Sequence, residues 1–75
     1  MEDGIEKKIL EEMAEKLVAN KTEIFNFINK EKEVPVSVIN SITKSLAQRG
    51  LLTLVYSSET TYAITQRGLK EVSRF

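Results

Sequence analysis

The sequence predicts an α+β domain in which three helices are followed by a two-stranded β-hairpin and a short C-terminal helix. Three observations support this prediction. Apolar residues recur at helical spacing through about the first two thirds of the chain. At Gly50 the pattern changes to a run of β-prone residues. A second β-prone run follows after a short polar stretch, as in a hairpin.

Helix 1 is predicted over about residues 3–18, because this segment contains no Pro and no Gly after Gly4. Its apolar residues at helical spacing are Ile5, Ile9, Leu10, Met13, Ala14, Leu17 and Val18. At about 100° per residue they cover an arc of roughly 220°, which is wider than one buried face requires. Asn20 ends this segment, either as a turn residue or, with Glu23 three residues later, as the N-cap of helix 2.

Helix 2 is short and is predicted over about residues 22–29. Its expected core residues are Ile24, Phe25 and Ile28, with Phe27 as a further candidate. The polar run at residues 29–33 then predicts a turn. Val34 follows this turn, and we expect its apolar side chain to return to the core.

Helix 3 is predicted over about residues 35–49 and has two alternative starts. Pro35 suits the first helical turn, where its missing N–H is not needed, whereas Ser37 is a competing N-cap. The end is better defined, because Gly50 is the expected glycine just beyond the helix. The apolar stripe of this helix consists of Ile39, Ile42 and Leu46.

Two β-prone runs, at residues 51–56 and 60–64, flank the polar residues 57–59 and predict a hairpin. Thr65 is suited to cap a final helix of one or two turns. Gly68 weakens that helix, and it also permits close backbone packing after the second strand. The apolar residues of this tail are Leu69, Val72 and Phe75.

Length and composition indicate one domain spanning residues 1–75 and argue against catalysis. The chain has no Cys and no His, so it lacks disulfides, the common proton shuttle and the usual transition-metal ligands. Glu11, Glu12 and Glu15 lie beside lysines on helix 1 and predict a solvated, ion-paired face. No apolar run is long enough to span a membrane. We expect a cytoplasmic binding protein without catalytic residues, cofactor or metal.

Two sequence runs resemble a known pattern: SLAQRGLL at residues 45–52 and YAITQRGL at residues 62–69. They resemble the winged helix-turn-helix superfamily, including small archaeal winged-helix proteins and the MarR-type and PadR-type regulators. There a leucine ends the recognition helix, a Gly-Leu pair leads into the first strand of the wing, and a Tyr-x-aliphatic-Thr-x-x-Gly run follows the wing. The resemblance covers about residues 20–72. It implies that helix 3 is the recognition helix and that the tail lies back on helix 1.

Helix 3 would then present a neutral to basic face to double-stranded DNA. Its outward residues are predicted to be Ser37, Asn40, Ser41, Lys44, Ser45 and Gln48. Asn and Gln suit bidentate contacts with adenine, while Ser and Lys suit base edges or phosphates. Further phosphate contacts are expected from Lys30, Lys32 and Arg49, with Lys21 as another candidate. The alternative interpretation is that these residues form an ordinary solvated surface.

Charge leaves two functional classes open. The net charge is zero, with 11 basic and 11 acidic residues, and this balance does not favour binding to nucleic acid. Residues 1–20 carry six of the acidic residues and only three of the basic ones, so the remainder is basic. The predicted wing carries Glu59 but no Lys or Arg. The sequence therefore predicts a DNA-binding transcriptional regulator, with a protein-interaction module of a larger transcription, replication or sorting assembly as the alternative.

The wide apolar arc of helix 1 also predicts a homodimer formed through helix 1 and the C-terminal tail. If helices 2 and 3 cover one side of helix 1, then Leu10, Ala14, Leu17 and Val18 require another cover. A symmetric partner would bury them and present two recognition helices to successive major grooves. The alternative is a monomer in which the tail covers helix 1 completely.

Overall fold

The computed structural model describes residues 2–30, 33–55 and 60–75, and it shows four helices and a three-stranded antiparallel sheet in these ranges. The elements in chain order are α1 (Glu2–Lys16), β1 (Val18–Asn20), α2 (Lys21–Asn29), α3 (Val36–Gln48), β2 (Leu52–Val55), β3 (Thr61–Ile64) and α4 (Gln66–Val72). Lys32 and the predicted polar turn at residues 57–59 lie outside the described residues. None of the described helices is long and apolar enough to cross a bilayer.

The strand β1 corrects the sequence prediction, which had residues 1–50 helical apart from turns and paired strands only within about 51–65. Helix α1 ends at Lys16, and Leu17 adopts the left-handed conformation with φ 73°. Val18 therefore belongs to a strand and not to the helix. β1 pairs antiparallel with β3, which also pairs with β2, so the sheet order is β1-β3-β2. The hairpin thus gains a third strand that comes from between the first two helices.

A capping box links β1 to α2 and confirms Asn20 as an N-cap. The Asn20 side-chain oxygen accepts a hydrogen bond of 2.8 Å from the Glu23 N–H. In return, the Glu23 carboxylate accepts a hydrogen bond of 2.9 Å from the Asn20 N–H. These two bonds satisfy donors that the first turn of a helix leaves without partners. The backbone pairing with the β3 segment continues one residue beyond Asn20, where the Lys21 N–H donates to the Thr60 carbonyl oxygen at 3.1 Å.

The turn between α2 and α3 is held by the Asn29 side chain. Its Nδ2 donates to the carbonyl oxygens of Phe25 and Val34, at 3.0 and 3.3 Å, and its Oδ1 accepts from the Val34 N–H at 3.0 Å. Val34 is buried, as predicted. Helix α3 begins at Val36, directly after Pro35 and without a side-chain cap. Ser37 therefore lies in the first turn, and the prediction that it is an N-cap is wrong.

Among the residues that the structure describes, the core is one cluster of twelve buried apolar residues, to which every element except β3 and α4 contributes. Its members are Ile9, Leu10, Met13, Ala19, Ile24, Ile28, Val34, Ile39, Ile42, Leu46, Leu51 and Leu52. The predicted stripe of α3 is confirmed. Thr43 also lies in the interior, where its hydroxyl donates a hydrogen bond of 2.6 Å to the Ile39 carbonyl oxygen. This bond satisfies the donor that burial would otherwise leave unpaired. Phe25 and Phe27 are half-buried.

A compact junction joins the end of α3 to the start of α4. Gly50 has φ 79°, as expected for the glycine that ends a helix. The Thr65 hydroxyl lies 2.7 Å from the Gly50 carbonyl oxygen and 3.0 Å from that of Leu51, and it accepts from the Gly68 N–H at 3.0 Å. Thr65 is therefore the N-cap of α4, as predicted. Gly68 is buried against Leu51 and Ile64, which confirms the close packing expected there.

The packing around helix α1 also differs from the expectation that Leu10 and its neighbours require a partner chain. Leu10 is only 1% exposed, because α4 packs on α1 and the Phe75 ring lies near Lys7. Leu10 therefore needs no partner chain. Leu17 and Val18 follow the helix and are about half exposed, at 54% and 50%.

Substitution of Gly68 by Ala tests the junction. A Cβ atom at this position would collide with the Leu51 carbonyl oxygen and lie 2.7 Å from Cγ1 of Ile64. Because backbone atoms cannot move aside easily, we expect a loss of about 3 kcal/mol in unfolding free energy, measured by urea titration. Gly4→Ala is the matched control, since a Cβ at Gly4 meets nothing within 4 Å and should stabilise α1 by up to about 1 kcal/mol. Equal effects of the two substitutions would contradict the close approach.

Candidate nucleic-acid interface

The side of α3 that faces away from the core carries all six residues that the sequence predicted there. Ser37, Ser41, Lys44 and Gln48 are exposed, and Asn40 and Ser45 are half-buried. We call these six residues the outer face of α3. The helix contains no acidic residue, so its outer face offers hydroxyls, amides and one ammonium group. This set of groups can donate to and accept from base edges without repelling phosphates.

The spacing of the two amide side chains suits a groove-bound helix. Asn40 and Gln48 lie eight residues apart, which corresponds to about 12 Å along a helix that rises about 1.5 Å per residue. Successive bases on one DNA strand are about 3.4 Å apart. The outer face of α3 is therefore long enough to follow three or four base pairs.

Val36 is a further member of this region that the sequence analysis did not identify. It lies in the first turn of α3 and is 55% exposed. Its position four residues before Asn40 puts the two side chains next to each other on the helix surface. No sequence signal marks this exposure, because Val36 lies three residues before Ile39 and therefore continues the helical spacing of the buried stripe.

The structure separates the predicted phosphate contacts into two groups. Lys30 and Lys44 are exposed, as is Lys21, and none of them forms an ion pair with a carboxylate among residues 2–30, 33–55 and 60–75. Arg49 differs, because its Nη1 lies 2.9 Å from Oε1 of Glu6 on α1. Its backbone carbonyl also accepts from Arg67. Arg49 thus joins α3 to α1, and its charge is partly neutralised.

Two open recesses adjoin each other between α2 and the start of α3, with volumes of about 190 and 430 Å³. Phe25 and Val36 line both of them, and we call the pair the α2–α3 recess. The other lining residues are Lys21, Thr22, Asn29, Glu33, Val34 and Pro35. A third recess of about 220 Å³ lies on the other flank of α3 and is lined by Ser37, Val38, Ser41 and Ile42.

Within the described ranges, no group of three or more acidic residues lies close enough to hold a metal ion. No family model matches the chain, and no curated protein matches it significantly. The architecture of four helices and an antiparallel sheet ordered β1-β3-β2 is compatible with a winged helix.

Proposed function

We propose that this chain is a winged helix-turn-helix protein that binds double-stranded DNA, reads the major groove with α3 and regulates transcription in the cytoplasm. The observation that carries the proposal is the outer face of α3, which combines two amides, three hydroxyls and a lysine with no carboxylate. Such groups match the donors and acceptors that base pairs present in the major groove. A helix that faces only solvent can carry acidic residues without harm, so their absence from α3 is better explained by contact with phosphates.

In this proposal the residues divide into those that read bases and those that bind phosphates. Asn40 and Gln48 form paired hydrogen bonds with adenine edges, while Lys30, Lys44 and Lys21 neutralise phosphates. Three lysines give only modest attraction, because each neutralised phosphate adds about 0.9 to the salt dependence of binding. Affinity therefore depends only moderately on salt concentration and relies mainly on the direct base contacts.

A DNA titration at several salt concentrations tests the proposal. Alanine at Asn40 or Gln48 should lower the discrimination between a selected site and random duplex by about 1–3 kcal/mol, because each bidentate base contact is lost. Alanine at Lys30 should instead weaken binding to both duplexes equally and reduce the salt slope by about 0.9. If the wild-type protein binds no duplex even at low salt, the proposal is wrong.

The ion pair between Glu6 and Arg49 gives a second test. Glu6→Gln frees the Arg49 guanidinium, so duplex affinity should rise and the salt slope should steepen by about 0.9, measured by the same titration. Glu12→Gln is the matched control on α1, because Glu12 pairs with Lys16 at 3.0 Å and raises the pKa of that ammonium through a hydrogen bond. Both substitutions remove one negative charge. Equal effects would mean that overall charge, and not Arg49, is responsible.

A protein-docking function is the second candidate, and the α2–α3 recess favours it. Phe25 and Val36 expose apolar surface there, and the net charge of the chain is zero. An apolar helix or strand of a larger assembly could fill such a recess. This candidate gains support if duplex binding is absent at low salt.

Homodimer formation also stays a proposal, although it now rests on fewer residues. Leu10 is covered within one chain and Ala14 is half-buried, so the exposed apolar residues of this region are Leu17 and Val18 together with Leu69 and Phe75 of the tail. We expect sedimentation at micromolar concentration to give twice the 8.5 kDa of one chain. Val18→Glu should restore the single-chain mass, because a charge at an apolar interface disfavours association. A sharp 8.5 kDa species of the wild-type protein would exclude the dimer.

A further inference from the structure

We propose that Val36 recognises the methyl group of thymine, so that the start of α3 selects A·T base pairs. This inference rests on the proposed DNA-binding function and names a residue and a base-pair class within it. Val36 is apolar, 55% exposed and located in the first turn of α3. The N-terminal residues of a recognition helix are the ones that reach base edges in the major groove.

The chemistry of the neighbouring side chain points to the same base pair. Thymine carries the only methyl group of unmodified DNA in the major groove, and it pairs with adenine, whose N6 and N7 suit an asparagine amide. Val36 and Asn40 are neighbours on the helix at spacing i, i+4. The two side chains together can therefore contact a thymine methyl and the adenine of the same or the adjacent pair.

The rest of the outer face carries few side chains that can recognise guanine. Guanine is read mainly by Arg or Lys through O6 and N7. The face carries one such residue, Lys44, eight positions after Val36, whereas Arg49 is paired with Glu6. A preference for A·T pairs at the Val36 end of α3 follows from this distribution.

The first turn of α3 is also arranged differently from those of α2 and α4. Asn20 caps α2 and Thr65 caps α4 through their side chains, whereas Pro35 gives α3 no side-chain cap. The first turn of α3, like that of α4, contains no acidic residue, whereas that of α2 contains Glu23. A carboxylate there would stabilise the helix but would repel phosphates. An exposed valine in that place adds no stability to the helix in water, since β-branched residues are poor helix formers.

Replacement of thymine by uracil tests the inference without altering the protein. Uracil lacks only the methyl group, so a 16-base-pair alternating A·T duplex is compared with the same duplex containing A·U pairs. Wild-type protein should bind the A·U duplex about fourfold more weakly for each methyl contacted, which is the effect expected for one buried methylene-sized group. A G·C duplex of equal length should bind more weakly than the A·T duplex.

Protein variants then assign the effect to Val36. Val36→Ala should bind both the A·T and the A·U duplex with the affinity that the wild type has for A·U, whereas Val36→Ile should keep the preference for thymine. Val55→Ala is the matched control, because Val55 is another exposed valine, at 37%, lies on β2 outside α3, and should behave as wild type. Asn40→Ala should weaken binding to both duplexes equally, since both contain adenine.

The outcomes separate this inference from the proposed function. Binding to duplex with equal affinity for A·T and A·U, or a thymine preference that survives Val36→Ala, overturns the role of Val36 and leaves the DNA-binding function in place. No binding to any of the three duplexes at low salt overturns both. Loss of the thymine preference in Val36→Ala alone, with a thermal unfolding midpoint close to that of the wild type, supports the inference.

Discussion

The contact between Thr65, Gly68 and the Gly50–Leu51 backbone determines how the helical half of this domain meets its sheet. In addition to its side-chain bonds, Thr65 donates its N–H to the Leu51 carbonyl oxygen at 3.1 Å. The Leu51 N–H in turn donates to the Leu46 carbonyl oxygen at 2.9 Å. The Leu51 backbone is therefore hydrogen-bonded both to the end of α3 and to Thr65, which follows β3. A 75-residue chain without disulfides has a small core, and such a junction fixes elements that packing alone holds weakly.

The same logic applies at the opposite end of α3, where the Asn29 side chain closes the turn before it. Three hydrogen bonds join Asn29 to Phe25 and Val34, and the buried Val34 side chain anchors the turn in the core. Helix α3 is thus held at both ends and along the stripe of Ile39, Ile42 and Leu46, while its outer face contributes nothing to this support. A surface held in this way binds with little loss of conformational entropy, because its backbone is already ordered.

Local patterns in the sequence predicted most of this architecture, and interactions between distant segments account for what they did not predict. The capping box at Asn20, the glycine after α3 and the Thr65 cap all depend on residues within four positions of each other, so the sequence displays them directly. The strand β1 has only three residues, and the apolar pair Leu17 and Val18 continues the helical pattern of α1. Its pairing with β3 joins segments more than forty residues apart.

The candidate site shows the same division between local and distant information. Periodicity predicted the outer face of α3 correctly, because the positions opposite a core stripe follow from helix geometry. The ion pair of Arg49 with Glu6 bridges 43 positions and was not predictable from spacing. The exposure of Val36 depends on where α3 begins, and the sequence left two starts open. The structure agrees with the Pro35 alternative to within one residue, because Pro35 is the N-cap and Val36 is the first residue of the helix.

The two flanks of α3 favour different kinds of partner. Burial of Asn40 or Gln48 against an apolar protein surface would leave their amides without hydrogen-bond partners, at a cost of about 1–3 kcal/mol each. Base edges and their bound water would satisfy these groups, which supports the proposed DNA-binding function of the outer face. The α2–α3 recess has the opposite character, because Phe25 gives it apolar surface with few polar groups to satisfy. Val36 lies on the boundary of the two surfaces. Its partner therefore determines whether α3 acts as a reader of bases or as one wall of a protein-binding recess.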